Sequence, residues 1–224
     1  MGSEKRRNVL NVATKILYEL ITNNAIFLAF NIHIFIFLFL FRWPDIVSFY
    51  ISMGILSINV LPSYVALRYS LENLKESDEN IFKRFIKGYK ENFKRSFVIG
   101  IIGILAIVIS LLDGVYFSLI EQETLFYVFQ IIFFIFLVFF ISASTILLRF
   151  DFNIKETLKV TLGYYFKLLF SSLVTIFILG ISLYLSRFNM LPLIVGFSIA
   201  GYVQNSFNYN IIKDIRKDLI TEEE

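Results

Sequence analysis

The stretch FVIGIIGILAIVISLLDGVYFS, residues 97–118, carries a single charged residue, Asp113. A helix needs roughly 20 apolar residues to cross a hydrocarbon core of about 30 Å, and this stretch is long enough. Hydrophobic residues make up 57% of the 224-residue chain, more than a soluble domain carries. The sequence therefore predicts one all-α, polytopic membrane domain over residues 1–224. Its six transmembrane spans are expected at about 25–41, 47–68, 97–118, 125–148, 167–185 and 189–209.

Basic residues are distributed unevenly around these spans. All but Arg42 and Arg187 of the 21 lysines and arginines lie before the first span, in the links after the second and fourth, or after the sixth. Because basic residues remain on the cytoplasmic side, both termini are expected in the cytoplasm. The net charge of +3 then reflects topology and does not indicate nucleic-acid binding. Frequent Lys, Ile, Asn and Phe are typical of an AT-rich bacterial genome, so we expect a bacterial plasma membrane.

Amphipathic patterns at about 8–22, 80–94 and 153–166 predict three interfacial helices. The third begins with capping-box spacing between Asn153 and Glu156. In the second, apolar side chains are expected at the acyl boundary and lysines over the anionic head groups of the lipid bilayer. This surface is interpreted either as a membrane anchor alone or as an anchor that also docks a cytoplasmic partner. Its candidate residues are Phe82, Lys83, Phe85, Lys87, Tyr89 and Lys90.

Each predicted interfacial helix precedes a pair of spans, which suggests three copies of one unit. Two short matches support this repeat. The letters ALRY at 66–69 resemble LLRF at 147–150, and GY occurs at both 88–89 and 163–164. The predicted copies share one orientation, unlike the inverted repeats of many transporters.

Several of these stretches also carry a family resemblance. The N-terminal span, LPSYVALRY at 61–69, FKRFIKGYKENFKRS at 82–96 and Asp113 at the end of span three resemble the YesL-like family of bacterial membrane proteins of unknown function. The resemblance implies a helical plasma-membrane protein often encoded beside carbohydrate-uptake systems. The expected function is therefore an accessory role with a carbohydrate importer. The family supplies no catalytic residues.

The second span contains polar and helix-breaking residues near its end. Pro62 removes the hydrogen bond to the carbonyl of Ile58 and predicts a kink, while Asn59 and Ser63 are available to satisfy the freed backbone groups. Arg68 is expected at the membrane interface. One interpretation is a tolerated kink. The alternative is a broken helix near Asn59 and Pro62 that lines the pathway of a small-solute transporter or channel.

Polar side chains within the other spans are further candidate sites, because such residues are costly in lipid and usually face the bundle interior. His33 and Asn59 are expected at similar depths in the first hairpin, where they are predicted to touch. Asp113 and Gln130 are expected at similar depths in the second hairpin. The side chains in each hairpin are interpreted as forming an interhelical hydrogen bond. A proton relay is the alternative for His33.

Motifs for enzymatic chemistry are missing from the sequence. The chain has no cysteine, and it contains no HExxH, Gly-x-Ser-x-Gly or phosphate-loop pattern. We therefore expect a non-enzymatic protein without catalytic residues, metal or cofactor. The remaining alternative is an intramembrane enzyme, whose chemistry would have to rest on His33 or Asp113 alone.

Overall fold

The computed structural model describes residues 2–72 and 79–221, with side chains placed for 12–38, 40–72 and 79–218. Every regular element in these ranges is helical, as predicted. The helices are α1 (Gly2–Phe30), α2 (Ile32–Leu40), α3 (Ile46–Leu56), a 3-10 turn (Ser57–Asn59), α4 (Val60–Glu72), α5 (Ile81–Leu119), α6 (Glu123–Arg149), α7 (Ile154–Gly163), α8 (Tyr165–Leu185) and α9 (Leu191–Thr221).

Four of these helical segments are long and apolar enough to cross a membrane. Judged by length and composition, they are Ile46–Glu72, Ile81–Leu119, Glu123–Arg149 and Tyr165–Leu185. The pair Val12–Phe30 and Ile32–Leu38 passes the same test only as a pair and bends by 63° at Asn31, so it is either a broken fifth span or a re-entrant loop. Such segments are consistent with a membrane protein. Helix α9, which contains residues 191–209 of the predicted span 189–209, does not pass the same test, so the sixth span is not confirmed.

Helix α4 is the central helix of the bundle, because its side chains are buried from Leu61 to Arg68 without interruption. One side packs with Phe27 of α1 and Phe85 of α5. Another side packs with Ala143 and Leu147 of α6. A helix buried on all sides has no surface left for lipid or water. Its polar side chains must therefore find partners within the protein.

Helix α5 runs without a break from Ile81 to Leu119, a length of about 58 Å. The range 80–94, predicted as a separate interfacial helix, is the first part of this helix and continues directly into the predicted span. One face of this part, which includes Arg84, Phe85 and Gly88, is buried against α1 and α4. A face packed inside the protein is not available to lie on a bilayer surface.

The other two predicted interfacial helices differ from each other. Residues 8–22 are part of α1, which continues to Phe30. The side chains of residues 8–11 lie outside those that the structure describes. Helix α7 is a separate element, and its predicted capping box is confirmed. The Asn153 side chain accepts from the Glu156 N–H at 2.9 Å, and the Glu156 carboxylate accepts from the Asn153 N–H at 3.1 Å.

Helices α8 and α9 form an antiparallel pair. Near the turn, a Cβ placed on Gly196 would lie 2.5 Å from the Ser182 side chain, and further along the rings of Phe170 and Phe207 are 5.6 Å apart. At the far end the Tyr164 hydroxyl donates to Asp218 at 2.6 Å. Because both helices keep contact over this length, the end of α9 lies level with the start of α8.

Candidate functional site

The first hairpin contains two helix breaks that face each other. The chain bends at Asn31 between α1 and α2, and it forms a 3-10 turn at Ser57–Asn59 before α4. The Asn59 Nδ2 donates to the Phe30 carbonyl at 2.9 Å, and the His33 Nε2 bonds the Leu56 carbonyl at 2.8 Å. His33 and Asn59 therefore bond backbone groups across the hairpin, where direct contact between them had been predicted. Each side chain satisfies a carbonyl at the other break.

Pro62 lies in the first turn of α4, where a missing N–H is tolerated, and the irregular turn precedes it. The Ser63 hydroxyl donates to the Asn59 carbonyl at 2.7 Å and is 3.0 Å from the Val60 carbonyl. It also accepts from the Asn31 amide at 2.8 Å. Asn59 and Ser63 were predicted to satisfy the backbone group freed at Pro62, the Ile58 carbonyl. Asn59 instead bonds the Phe30 carbonyl and Ser63 those of Asn59 and Val60, and none of the described hydrogen bonds joins either side chain to Ile58. Side chains of the first hairpin therefore stabilise the helix break before α4.

Tyr89 joins this region from α5. Its hydroxyl donates to the Asn59 Oδ1 at 2.7 Å, and its ring lies 5.0 Å from that of Phe30. Tyr89 had been predicted at the acyl boundary, together with Phe85, which is fully buried. Both side chains instead attach α5 to the first hairpin. This difference arises because the aromatic face of α5 packs on α1 and α4.

The second hairpin brings Gln130 close to α5. Its Nε2 lies 3.1 Å from the position of a Cβ on Gly114, so the absence of a side chain there makes room for the amide. Asp113 and Gln130 are both partly buried. Among the described hydrogen bonds, none joins these two predicted partners. The structure therefore places both residues in the hairpin without forming a site between them.

The most extensive polar site was not predicted, and its centre is Arg68. This side chain is 0% exposed, whereas the sequence placed it at the membrane interface. Its Nε donates to the Asn205 Oδ1 at 2.8 Å, and its Nη1 donates to the hydroxyls of Ser144 at 2.6 Å and Thr145 at 3.1 Å. Helix α4 is enclosed by α6 and α9 at this level. All three of these hydrogen bonds are to neutral oxygen atoms.

Amide side chains of α9 complete this site. The Tyr64 hydroxyl donates to the Gln204 Oε1 at 3.0 Å, and the Gln204 Nε2 donates to the Ile141 carbonyl at 3.0 Å. The Asn208 Nδ2 donates to the Thr145 hydroxyl at 2.9 Å. These bonds tie α9 to both α4 and α6. We call this set the Arg68 cluster: Tyr64, Arg68, Ser144, Thr145, Gln204, Asn205 and Asn208.

A signal for this cluster was present in the sequence. The letters QNSFNYN at 204–210 concentrate amides at the end of the weakest predicted span, and Gln204 and Asn208 are four residues apart, on one helical face. Likewise SAST at 142–145 interrupts the apolar run of span four. Interior positions for both groups follow from the cost of polar groups in lipid. Their pairing with Arg68 required knowledge of the tertiary structure.

A buried ion pair joins α1 to α5. Arg84 and Glu19 form a salt bridge in which both side chains are almost fully buried. Nearby, the Asn24 side chain donates to the Leu193 carbonyl at 2.8 Å and accepts from the Ser198 N–H at 3.1 Å. These contacts connect the first helix to α5 and to α9.

The predicted docking residues separate into buried and exposed members. Phe82 is 53% exposed, and Lys83, Lys87 and Lys90 are also exposed, whereas Phe85 is in the core. Phe82 and the three lysines, together with Ile86, border a groove of about 470 Å³. A second groove, of about 570 Å³, lies between α1 and the start of α5 and shares Phe82. We call the exposed surface formed by Phe82, Lys83, Ile86, Lys87 and Lys90 the α5 basic face.

Comparison with protein families gives a partial match. Residues 20–114 match the family model described as protein of unknown function, DUF624. The matched part runs from α1 into α5, so it includes Pro62 and Arg68 but not α6 or α9. No curated protein and no solved structure matches the chain. Over residues 20–114 the chain is therefore similar to a family whose function is uncharacterised.

Proposed function

We propose that this chain is a non-enzymatic protein of the bacterial plasma membrane and an accessory component of carbohydrate uptake. The carbohydrate role rests on the resemblance of LPSYVALRY and the following residues to the YesL-like family. The mode of action is to bind a cytoplasmic part of the importer. The observation that carries this proposal is the exposed α5 basic face. Of its aromatic neighbours, Phe85 is buried and the partly buried Tyr89 bonds Asn59 of the first hairpin.

Burial of Phe85 favours docking over a membrane anchor alone. An interfacial anchor needs a broad apolar face beneath its basic residues. In α5 that face is used for packing on α1 and α4. The remaining groove combines Phe82 and Ile86 with three lysines and one carboxylate, Glu91, on its border, so positive charge is in excess there. Such a groove is complementary to an acidic amphipathic segment of a protein partner, which we propose as its occupant.

The proposed topology has six spans and both termini in the cytoplasm. The basic residues support this orientation, because only Arg42 and Arg187 fall on the outer side. Helix α9 is less apolar than the other spans, yet it pairs with α8 from Ser182 and Gly196 to Tyr164 and Asp218. If α8 crosses the membrane, α9 returns across it. The amides that make α9 polar are buried in the Arg68 cluster.

A charge-reversal variant tests the docking mode. Replacing Lys83, Lys87 and Lys90 with Glu should abolish crosslinking to the importer and lower carbohydrate uptake to the level of the deletion strain, while membrane abundance is maintained. The control variant replaces Lys155 and Lys159, two exposed lysines on α7, with Glu. It should crosslink and support uptake normally. Unchanged crosslinks and unchanged uptake in the triple variant would refute the docking mode.

The alternative function is small-solute transport, and the two facing helix breaks are the observation that favours it. Broken helices with freed backbone groups form substrate sites in several transporters. Purified protein in liposomes distinguishes the two functions. Solute flux without an importer, reduced by Asn59→Leu at unchanged protein abundance, would support transport and contradict the accessory role.

A further inference from the structure

Three arginines from three helices surround one carboxylate beside the Arg68 cluster. The Arg149 Nη2 on α6 lies 2.5 Å from the Glu72 Oε1 at the end of α4. Arg68 and Arg216 also interact electrostatically with Glu72. The Arg216 guanidinium is positioned over the Phe150 ring, 5.9 Å from its centroid. We call Arg68, Arg149, Arg216 and Glu72 the arginine site.

The arginine site carries more positive than negative charge. Three guanidinium groups face one carboxylate, which leaves an excess of two positive charges among these four residues. Neighbouring carboxylates have other partners: Asp151 pairs with Arg95, and Asp218 accepts from Tyr164. Asp214 is two residues from Arg216 on α9, and residues at this spacing do not face each other on a helix. Among residues 2–72 and 79–221, these carboxylates therefore do not neutralise the excess.

Two guanidinium nitrogens in the arginine site are buried without an acceptor. They are the Arg68 Nη2 and the Arg149 Nε. Buried donors on charged groups are expensive to leave unpaired. An anion with several acceptor oxygens would satisfy both of them, and guanidinium groups match the geometry of phosphate oxygens particularly well. Its two negative charges at neutral pH would also offset the excess positive charge.

We propose that the arginine site binds a dianionic phosphate group, either the phosphomonoester head group of phosphatidic acid or free inorganic phosphate. The anion enters past Glu72 and Arg149, whose side chains are 18% and 22% exposed. It takes the place of the Glu72 carboxylate beside Arg149 and reaches the Arg68 Nη2. Glu72 therefore acts as an internal competitor that occupies the arginines when phosphate is absent.

This competition predicts opposite effects for two neighbouring substitutions. Glu72→Gln removes the competing carboxylate and should strengthen phosphate binding. Arg216→Gln removes an exposed ligand and should weaken binding about tenfold or more, because it loses charge-assisted hydrogen bonds. Lys213→Gln, one turn earlier on α9 and positioned over Tyr209, is the matched control and should bind as the wild type does. A purely structural ion pair would give destabilisation in Glu72→Gln without tighter binding.

Thermal unfolding measures both possible sources. In delipidated detergent-solubilised protein, inorganic phosphate should raise Tm more than chloride at equal ionic strength. In nanodiscs of phosphatidylcholine alone, the same phosphate response identifies free phosphate as a ligand. In nanodiscs containing phosphatidic acid, a raised Tm with no further response to phosphate identifies the head group. Equal Tm under all these conditions, or equal responses in Arg216→Gln and Lys213→Gln, would overturn the proposal.

Discussion

Arg68 and Asn205 exchange two hydrogen bonds. The Arg68 Nε donates to the Asn205 Oδ1 at 2.8 Å, and the Asn205 Nδ2 donates to the backbone carbonyl of Arg68 at 3.0 Å. The amide therefore binds the side chain and the main chain of the same arginine. This double contact fixes α9 against α4 at one register.

Replacing Asn205 with Leu should destabilise the protein strongly. The change leaves the buried Arg68 Nε without an acceptor, and the expected loss is about 2–3 kcal/mol. Unfolding in detergent, followed by circular dichroism, measures it. The control is Asn210→Leu, an exposed position on the same helix, which should change stability by less than about 0.5 kcal/mol. Equal stability of the two variants would show that the exchange contributes little.

The buried pair of Glu19 and Arg84 should respond differently to one and two substitutions. Glu19→Leu removes the carboxylate that pairs with the buried Arg84 guanidinium and should cost about 3–5 kcal/mol. Combining it with Arg84→Met removes both charges and should recover most of that loss, because well-packed apolar side chains replace buried ion pairs at little cost. Denaturant unfolding of both single variants and the double variant gives the coupling free energy between the two side chains. Additive losses would contradict this expectation.

Gly88 should tolerate no side chain. A Cβ at this position would lie 2.6 Å from the Tyr69 ring, which is closer than packed atoms approach. We expect Gly88→Ala to cost about 1–3 kcal/mol through overpacking between α4 and α5. Gly163→Ala is the comparison, since a Cβ there meets no atom within 4 Å. That variant should be neutral or slightly more stable. Similar Tm values for the two variants would contradict the close packing at Gly88.

Asp45 should make stability depend on pH in the acid range. Hydrogen bonds from the backbone N–H and hydroxyl of Ser48 lower the pKa of Asp45 below its ordinary value of 3.8. Because the pKa is lower in the folded state, the ionised Asp45 carboxylate stabilises the protein above the unfolded pKa. This stabilisation is lost as the pH falls through the folded pKa. In Asp45→Asn, the fall in Tm between pH 6 and pH 3 should therefore be smaller than in the wild type. An identical fall would rule out this contribution.

Local features of the sequence were sufficient for the class of protein and for most helices. The apolar run at 97–118 predicts the membrane part of α5 because spanning length depends only on composition along the chain. The capping box of Asn153 and Glu156 is equally local, since both residues lie within one helical turn. The irregular turn near Asn59 was also foreseeable, as polar and helix-breaking residues occur there together.

Only the tertiary structure decided which faces of these helices are buried. Phe82 and Phe85 are alike in the sequence, but Phe85 meets the core and Phe82 remains exposed, because α1 and α4 cover one side of α5. Arg68 is the centre of a polar cluster, and its partner Asn205 lies 137 residues away along the chain. Hydropathy and periodicity assign each residue a preference for its surroundings. They do not determine which distant residues supply those surroundings, since that depends on how the helices pack.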